Sequence, residues 1–195
     1  MGISVIGPFI GVPVPVTVIQ MLWINMIMDT LAGLAYAGET PLAEYMREAP
    51  KKRNEPIINR YMFSQILATG IYTTLLGLAF FKLPFFYEAF RSDERYLLTA
   101  FFALFIFAGV FNSLNARTYR LNILSYIDRN KMFIAIMLAV SVMQILLIYY
   151  GGAVFRTTGL NLNELVLVLA LASTVILFDL GRKIFLRLNK RKGFI

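Results

Sequence analysis

Two polar residues, Asn25 and Asp29, interrupt a long apolar stretch and have the side chains best suited to chemistry. They stand four residues apart, so a helix presents both on one face. A carboxylate at the centre of a bilayer costs about 2.5–3.5 kcal/mol on insertion scales, which makes a deep aspartate a candidate functional residue. Amide and carboxylate oxygens are ligands for hard cations such as Ca²⁺ or Mg²⁺.

Each of these residues also has an ordinary structural interpretation. A lone asparagine in a membrane helix more often forms a hydrogen bond to a neighbouring helix than it binds a metal ion. A deep carboxylate must be neutralised by protonation, by a basic partner or by a metal ion. No Lys or Arg is predicted to lie deep enough to pair with Asp29. The sequence therefore favours an ion or proton pathway, with a protonated packing aspartate as the alternative.

The composition indicates an integral membrane protein. The 195 residues are 58% hydrophobic and 15% charged, with a mean hydropathy of +0.68, whereas a soluble domain of this length needs a more polar surface. Cys and His are absent, which excludes disulfides and thiolate or imidazole metal sites. Basic residues flank the apolar runs, so the net charge of +8 indicates the lipid bilayer as a partner and not nucleic acid.

The predicted fold class is an all-α membrane protein, a bundle of five transmembrane helices preceded by a partial helix. About 20 residues cross the roughly 30 Å hydrocarbon core of a bilayer. Residues 1–15 are predicted to be the end of a truncated helix and a turn, the alternative being an N-terminal interfacial stub. All of residues 1–195 form one transmembrane domain, with spans at about 16–37, 61–81, 96–116, 132–155 and 162–181 and a basic tail at 182–195.

The distribution of charge predicts an orientation. The segments 38–60, 117–131 and 182–195 hold 15 of the 19 basic residues, and the segments 82–95 and 151–161 hold the rest. With five spans these two sets lie on opposite sides of the membrane. The positive-inside rule then places the basic-rich set, and with it the C-terminus, in the cytoplasm.

Small residues predict where helices come close. Gly33 and Ala37 continue the face of Asn25 and Asp29, where they would let a neighbouring backbone approach. Gly33 also makes local unwinding cheaper, which would free carbonyl oxygens as ligands. A second set of small residues predicts close helix packing by the next span and consists of Gly70, Thr74 and Gly77.

Three stretches of the chain resemble a known family. IQMLWINMIMDTLAGLAYAGETP, at 19–41, resembles the cation-coordinating helix of P-type calcium ATPases, above all the plasma-membrane type, in which a Met precedes the Asp and a Thr follows it. KKRNEPIINR at 51–60 and FNSLNAR at 111–117 resemble the same family. The resemblance covers almost the whole chain and implies the C-terminal transmembrane region of such a pump, in a plasma or inner membrane.

The resemblance also implies roles for individual residues. Asn25 would offer its side-chain carbonyl, and Asp29 its carboxylate, to Ca²⁺ as the transported ion, with Mn²⁺ an open alternative. Met28 stands where two-site calcium pumps have a Thr, and Gly109 where they have an acidic ligand. Both departures favour a single-ion pump. No catalytic or cofactor-binding residues are expected, because a DKTG phosphorylation motif, a TGES loop and a Gly-rich nucleotide site are missing from the sequence.

The implied function is the cation-binding and scaffold part of a calcium pump that is inactive alone. Its partners would be the bilayer and the remaining N-terminal part of the pump, and ATP and Mg²⁺ would act only through domains absent from this chain. Ca²⁺ takes about six to eight oxygens, of which two side chains supply about three, so tight binding by the chain alone is not expected. Two alternatives stay open: a stand-alone secondary transporter that uses Asp29, and a non-transporting helical scaffold.

Overall fold

The structure is a computed structural model that describes residues 11, 16–39, 58 and 60–191, without the side chains of residues 28, 29, 60 and 189–191. The predicted helix end over 1–15, apart from residue 11, lies outside the described residues. The same holds for most of the polar segment 38–60 and for residues 192–195. Gly11 belongs to a turn and has a φ of +73°, a value that favours glycine.

The first membrane-length helix begins at a capping box. Thr17 Oγ1 accepts the backbone N–H of Gln20 at 3.2 Å, and Gln20 Oε1 accepts the backbone N–H of Thr17 at 2.8 Å. The box satisfies amide groups that a helix start leaves open. The predicted span 16–37 is thus helical, and its centre is π-helical. Its three consecutive parts are α1 (Val18–Asn25), a π-helical segment (Met26–Ala32) and α2 (Gly33–Ala37).

The rest of the described chain is also helical and contains no strand. Five helical stretches are long and apolar enough to cross a membrane, which confirms the predicted all-α membrane fold. The remaining elements are α3 (Arg60–Lys82), α4 (Pro84–Ala89), α5 (Glu94–Arg117), a 3₁₀ turn (Ile127–Arg129), α6 (Lys131–Tyr150), α7 (Gly152–Phe155) and α8 (Leu162–Arg191).

The predicted span 132–155 is interrupted, because α6 ends at Tyr150 and a separate short helix, α7, follows. Consecutive glycines cause the break, and Gly152 takes a φ of +45° that is readily accessible to glycine. Thr157 closes the end of α6 by donating its hydroxyl to the Leu147 carbonyl oxygen at 2.6 Å. This break turns the chain within the region that was predicted to be membrane-spanning.

The predicted span 162–181 lies within a longer helix, α8, which also contains the start of the basic tail predicted at 182–195. Helix α8 continues to Arg191, and the side chains of Arg182 and Lys183 are 8% and 1% exposed. Arg182 lies 2.7 Å, and Lys183 3.0 Å, from a carboxylate oxygen of the buried Asp179. Because their charges are paired inside the bundle, these two residues are not available as lipid-headgroup contacts.

Helix α5 is the centre of the bundle, because 61% of its most apolar stretch is buried. It packs most extensively against α8 and also contacts α3 and α6. Ala100 and Ala103 are fully buried on it, and such small side chains allow close helix contact. Phe101 and Phe102 are buried beside them, so these aromatic residues pack within the protein.

One end of the bundle, which we call the basic end, joins α2, α5 and α6. Arg117, at the end of α5, donates to the Glu39 carboxylate at 2.9 Å. Asn130, just before α6, donates to the same carboxylate at 2.9 Å and to the Ala35 carbonyl oxygen at 3.1 Å. Its own carbonyl caps α6 by accepting the N–H of Phe133 at 2.8 Å. These contacts align the three helices at one level.

Helices α3 and α8 join the others at the basic end. Lys183 Nζ donates to the carbonyl oxygens of Asn115 and Thr118, at 3.0 and 2.9 Å, where α5 finishes. Carbonyls at a helix C-terminus lack intrahelical partners and favour a cation. Arg182 reaches the hydroxyl of Tyr61 on α3 at 3.2 Å. Buried charge thus holds α3, α5 and α8 together.

The opposite end has fewer charges. The loop predicted over 82–95 contains α4, which starts with Pro84 in its first turn, a position that suits proline. Arg91 then forms a two-pronged ion pair with Glu164 at the start of α8, at 2.6 and 3.1 Å. Its hydrogen bond with Glu164 raises the pKa of Arg91. Gln20 Nε2 donates to the Phe155 carbonyl oxygen at 2.7 Å and links α1 to α7.

Candidate cation site

The two predicted ligands lie on consecutive turns of the first span. Asn25 is the last residue of α1, and Asp29 is the central residue of the π-helical segment. The structure places the backbone of Asp29 but does not describe its side chain. The side chain of Asn25 is half-buried and lines a cavity. Of the two, only Asn25 is therefore located relative to a space that could hold an ion.

The π-helical segment is the main irregularity of the first span. Such segments are rare, mostly single-turn bulges within α-helices, and are frequent at functional sites. The sequence predicted local unwinding favoured by Gly33. The segment instead covers Met26–Ala32, and Gly33 follows it as the first residue of α2. The departure from α-helical geometry is therefore centred on Asp29, one turn before the glycine.

The face that continues from Asn25 and Asp29 is uncovered. Gly33 and Ala37 are exposed, and a Cβ atom added to Gly33 would meet no atom within 4 Å. The expected close approach of another backbone is therefore not made by any helix in the described part of the chain. Other positions of the same stretch are buried, with Ile27 2% and Ala35 0% exposed.

A cavity of about 650 Å³ lies between α1, α3 and α5 and is lined in part by Asn25. Three other lining residues have a buried polar atom with no hydrogen-bond partner among the residues that the structure describes. Buried polar atoms without partners are uncommon in native proteins and call for water, an ion or another group. The three atoms are Gln65 Nε2, Thr69 Oγ1 and Asn112 Oδ1.

Sequence reasoning missed Gln65 and Thr69, and Asn112 was noted only as part of a family-like motif. The missed signal is a spacing of four residues, since Gln65, Thr69 and Thr73 recur on one face of α3. All three line the cavity. Polar residues at this spacing in an otherwise apolar span indicate a face that meets polar surroundings.

Gly109 lines the same cavity as Asn25. By resemblance it occupies the position of an acidic ligand in two-site pumps, and as glycine it brings no side chain. Asn112, almost one turn further along α5, contributes a polar side chain instead. Among the described residues no group of three or more His, Cys, Asp or Glu could hold a metal ion.

The second predicted set of small residues is buried only in part, since Gly77 is buried and Gly70 is exposed. Gly70, Thr74 and Gly77 line an apolar cavity of about 590 Å³ between α3 and α5. A Cβ atom added to Gly70 would meet nothing within 4 Å. Thr74 donates its hydroxyl to the Gly70 carbonyl oxygen at 2.8 Å, within its own helix. No helix in the described part of the chain makes the predicted close approach at Gly70.

The fold by itself defines the class, an all-helical membrane protein with five membrane-length helices in its described part. Comparison with protein families is more specific. Residues 13–185 match the family described as "Cation transporting ATPase, C-terminus", and the chain belongs to this family. This match confirms the resemblance seen in the sequence to the C-terminal region of P-type calcium ATPases of the plasma-membrane type.

Relatives with curated names include three from distant organisms. "Probable calcium-transporting ATPase 6, plasma membrane-type" of Oryza sativa subsp. japonica is 36% identical over 75% of this chain. "Plasma membrane calcium-transporting ATPase 4" of Bos taurus is 33% identical over 83%. "Calcium-transporting ATPase 10, plasma membrane-type" of Arabidopsis thaliana is 34% identical over 82%. In each case the match spans 15% of the relative's own length.

Proposed function

We propose that this chain is the cation-binding and membrane-scaffold part of an ATP-driven calcium pump, with a transport site that includes Asn25 and Asp29. One observation carries the proposal. The first span departs from α-helical geometry around Asp29, and Asn25, at the start of that segment, lines a cavity with unpartnered polar atoms. Family membership and the names of the relatives, which are calcium-transporting ATPases, supply the ion and the energy source.

In this proposal Asn25 Oδ1 and the Asp29 carboxylate are two of the Ca²⁺ ligands. Both are oxygen donors, as hard cations require, and the carboxylate supplies the charge that offsets dehydration of the ion. The other oxygens come from helices outside this chain. The uncovered face at Gly33 and Ala37 supports this division, because a further helix backbone can approach there without meeting a side chain.

The proposed partner is the remaining N-terminal part of the pump, because the matched region is 15% of the relatives' length. ATP and Mg²⁺ act through domains in that part. Phosphorylation there tilts the preceding helices against Asn25 and Asp29 and alternates access to the site between the two sides of the membrane. Helices α3, α5, α6 and α8 form one transmembrane scaffold, with the basic end and the C-terminus in the cytoplasm.

The test is Asp29→Asn in the complete pump that carries this chain, reconstituted in vesicles. We expect the variant to abolish Ca²⁺-dependent phosphorylation by ATP, because an amide keeps the shape of the side chain but removes its charge. The control is Asp93→Asn. Asp93 lies outside the membrane-length helices and caps α5 by accepting the backbone N–H of Arg95 at 2.8 Å. This control should form phosphoenzyme at the parental level.

Normal Ca²⁺-dependent phosphoenzyme formation in Asp29→Asn would overturn the assignment of the site. Ion transport that needs no ATP and is lost in Asp29→Asn would instead favour the secondary transporter. Either variant could fold poorly or fail to reach the membrane. The amount of phosphoenzyme is therefore divided by the amount of folded protein in the vesicles.

A further inference from the structure

Gln144, on α6, is a fully buried amide without a partner. Its exposure is 0%, and neither Nε2 nor Oε1 has a hydrogen-bond partner in the described part of the chain. By contrast, Gln20 on α1 is also buried, at 3%, but uses both ends of its amide. An unpaired buried amide is costly in a membrane protein, where water cannot satisfy it. Gln144 thus requires an explanation that Gln20 does not.

The face of α6 that contains Gln144 is its buried face. Buried residues recur along it at helical spacing, from Phe133 near the basic end to Ile148 near the other end. The Phe133 ring lies 5.9 Å from the ring of Tyr36 on α2, so this face is directed towards the first span. Helix α6 also contacts the π-helical segment itself. Gln144 is therefore on the side of α6 that adjoins the irregular part of the first span.

Depth also places Gln144 beside that segment. The first span and α6 run in opposite directions, since Asn130 before α6 bonds to Ala35 in α2. Gln144 lies six residues before the end of α6, about 9 Å along its axis. Asn25 lies seven residues after the start of α1, about 10 Å from the same end of the bundle. Gln144 is thus at the level where α1 becomes π-helical.

We infer that Gln144 is a positioning residue for the cation site. Its amide pairs with backbone groups of the π-helical segment when that segment opens around the ion. A glutamine amide offers one carbonyl acceptor and N–H donors, the complement of a peptide unit released from a helix. Within a membrane such released groups must be satisfied by protein. The inference rests on the proposed function, because it assumes that this segment binds the transported ion.

The test uses Gln144→Leu and Gln144→Glu in the complete pump, with Gln20→Leu as the matched control. For Gln144→Leu we expect the Ca²⁺ concentration for half-maximal phosphorylation to rise about tenfold. The maximal phosphoenzyme level should be kept. The thermal midpoint in a Ca²⁺ chelator should not fall, because the closed segment makes no bond to Gln144. Adding Ca²⁺ should raise the thermal midpoint of Gln144→Leu by less than it raises that of the parent.

The control should behave in the opposite way. Gln20→Leu removes two observed hydrogen bonds, so its midpoint should fall in chelator while its half-maximal Ca²⁺ concentration stays at the parental value. For Gln144→Leu, a lower thermal midpoint with an unchanged Ca²⁺ dependence would show that Gln144 only stabilises helix packing. That result would overturn the inference. Tighter Ca²⁺ binding by Gln144→Glu would also overturn it, since that result identifies a direct ligand.

Failure of the inference and failure of the proposed function give different results. If Asp29→Asn abolishes phosphorylation and Gln144→Leu is parental in every measurement, the inference fails and the proposed function stands. If Asp29→Asn is normal, the proposed function fails with the inference. In both cases the Gln20→Leu result shows whether the stability measurement can detect the loss of a buried amide's bonds.

Discussion

The basic end of this bundle and the remaining membrane-length helices differ in how far their buried polar side chains are satisfied. At the basic end the buried charges are paired, with Asp179 within 3.0 Å of both Arg182 and Lys183. Single atoms there still lack a hydrogen-bond partner in the described part of the chain, among them Asn115 Oδ1, Arg117 Nε and Arg182 Nη1. By contrast, neither polar side-chain atom of Gln144 has a partner among the described residues. The two regions are connected through the same helix, α5.

This difference distinguishes buried polar groups that hold helices together from those with a proposed role in ion binding. Paired buried groups specify which helices meet and at what level, and removing one partner leaves the other uncompensated. A buried side chain without any partner lowers stability in the state observed, and water, an ion or another conformational state can satisfy it. The comparison predicts that substitutions at the basic end reduce stability, whereas substitution of Gln144 changes ion dependence.

The largest effect on stability is expected from Asp179→Leu. It leaves Arg182 and Lys183 buried without a counter-charge, which should lower the free energy of unfolding by about 3–5 kcal/mol. The measurement is denaturant unfolding of the purified chain in detergent micelles. The control is Arg187→Gln, because Arg187 is exposed and makes one long contact of 3.4 Å to the Tyr119 carbonyl oxygen. Equal stability of Asp179→Leu and the parent would contradict the assigned role of the basic end.

A smaller loss is expected from Asn130→Ala, which removes the cap of α6 and the bonds to Ala35 and Glu39. We expect a decrease of about 2 kcal/mol in the free energy of unfolding. The same unfolding titration measures it. Asn122→Ala is the control, since Asn122 makes an exposed local bond to the N–H of Leu124 at 3.0 Å. If both variants lost equal stability, burial would not distinguish the two asparagines.

The smallest effect is expected from Tyr72→Phe, which tests a paired polar group away from the basic end. The Tyr72 hydroxyl donates to Thr174 Oγ1 at 2.7 Å, and the ring stacks on Phe178 at 4.3 Å. Phenylalanine keeps the stacking and loses the bond, so about 0.6 kcal/mol should be lost. Tyr150→Phe, at a residue that is 83% exposed, should show no change. A loss above 2 kcal/mol would mean that the hydroxyl does more than link α3 to α8.

The helices that the sequence predicted best are those with unbroken apolar runs. The third span was predicted over 96–116 and is observed over Glu94–Arg117, because polar residues mark both of its ends. The end of α6 was missed, although the consecutive glycines at 151 and 152 were a usable signal. The extension of α8 was missed, although Asp179 stands three and four residues before Arg182 and Lys183, a spacing that pairs opposite charges on one helix face.

Some residues of the candidate site could likewise be predicted from the sequence, and others could not. Asn25 and Asp29 stand out as polar residues in an apolar run, and their role as ligands stays a prediction. The cavity side chains of α3 were visible as a spacing of four residues but were not recognised. Gln144 also stands out as the one amide of an apolar helix, but it was not singled out, because a lone amide has no second ligand-type residue at helical spacing. Its proposed role follows only from its burial and from the contact of α6 with the π-helical segment.

The sequence alone determined that this protein is a bundle of membrane-length helices. Helix length and hydropathy are properties of a continuous segment, and the bilayer acts on each segment separately. Only the tertiary structure decided which polar groups of different helices are paired. The pairing of Asp179 with Arg182 and Lys183 follows a local helical spacing. Contacts between residues far apart in the chain, such as Lys183 Nζ with the Asn115 carbonyl oxygen, are specified by no local pattern.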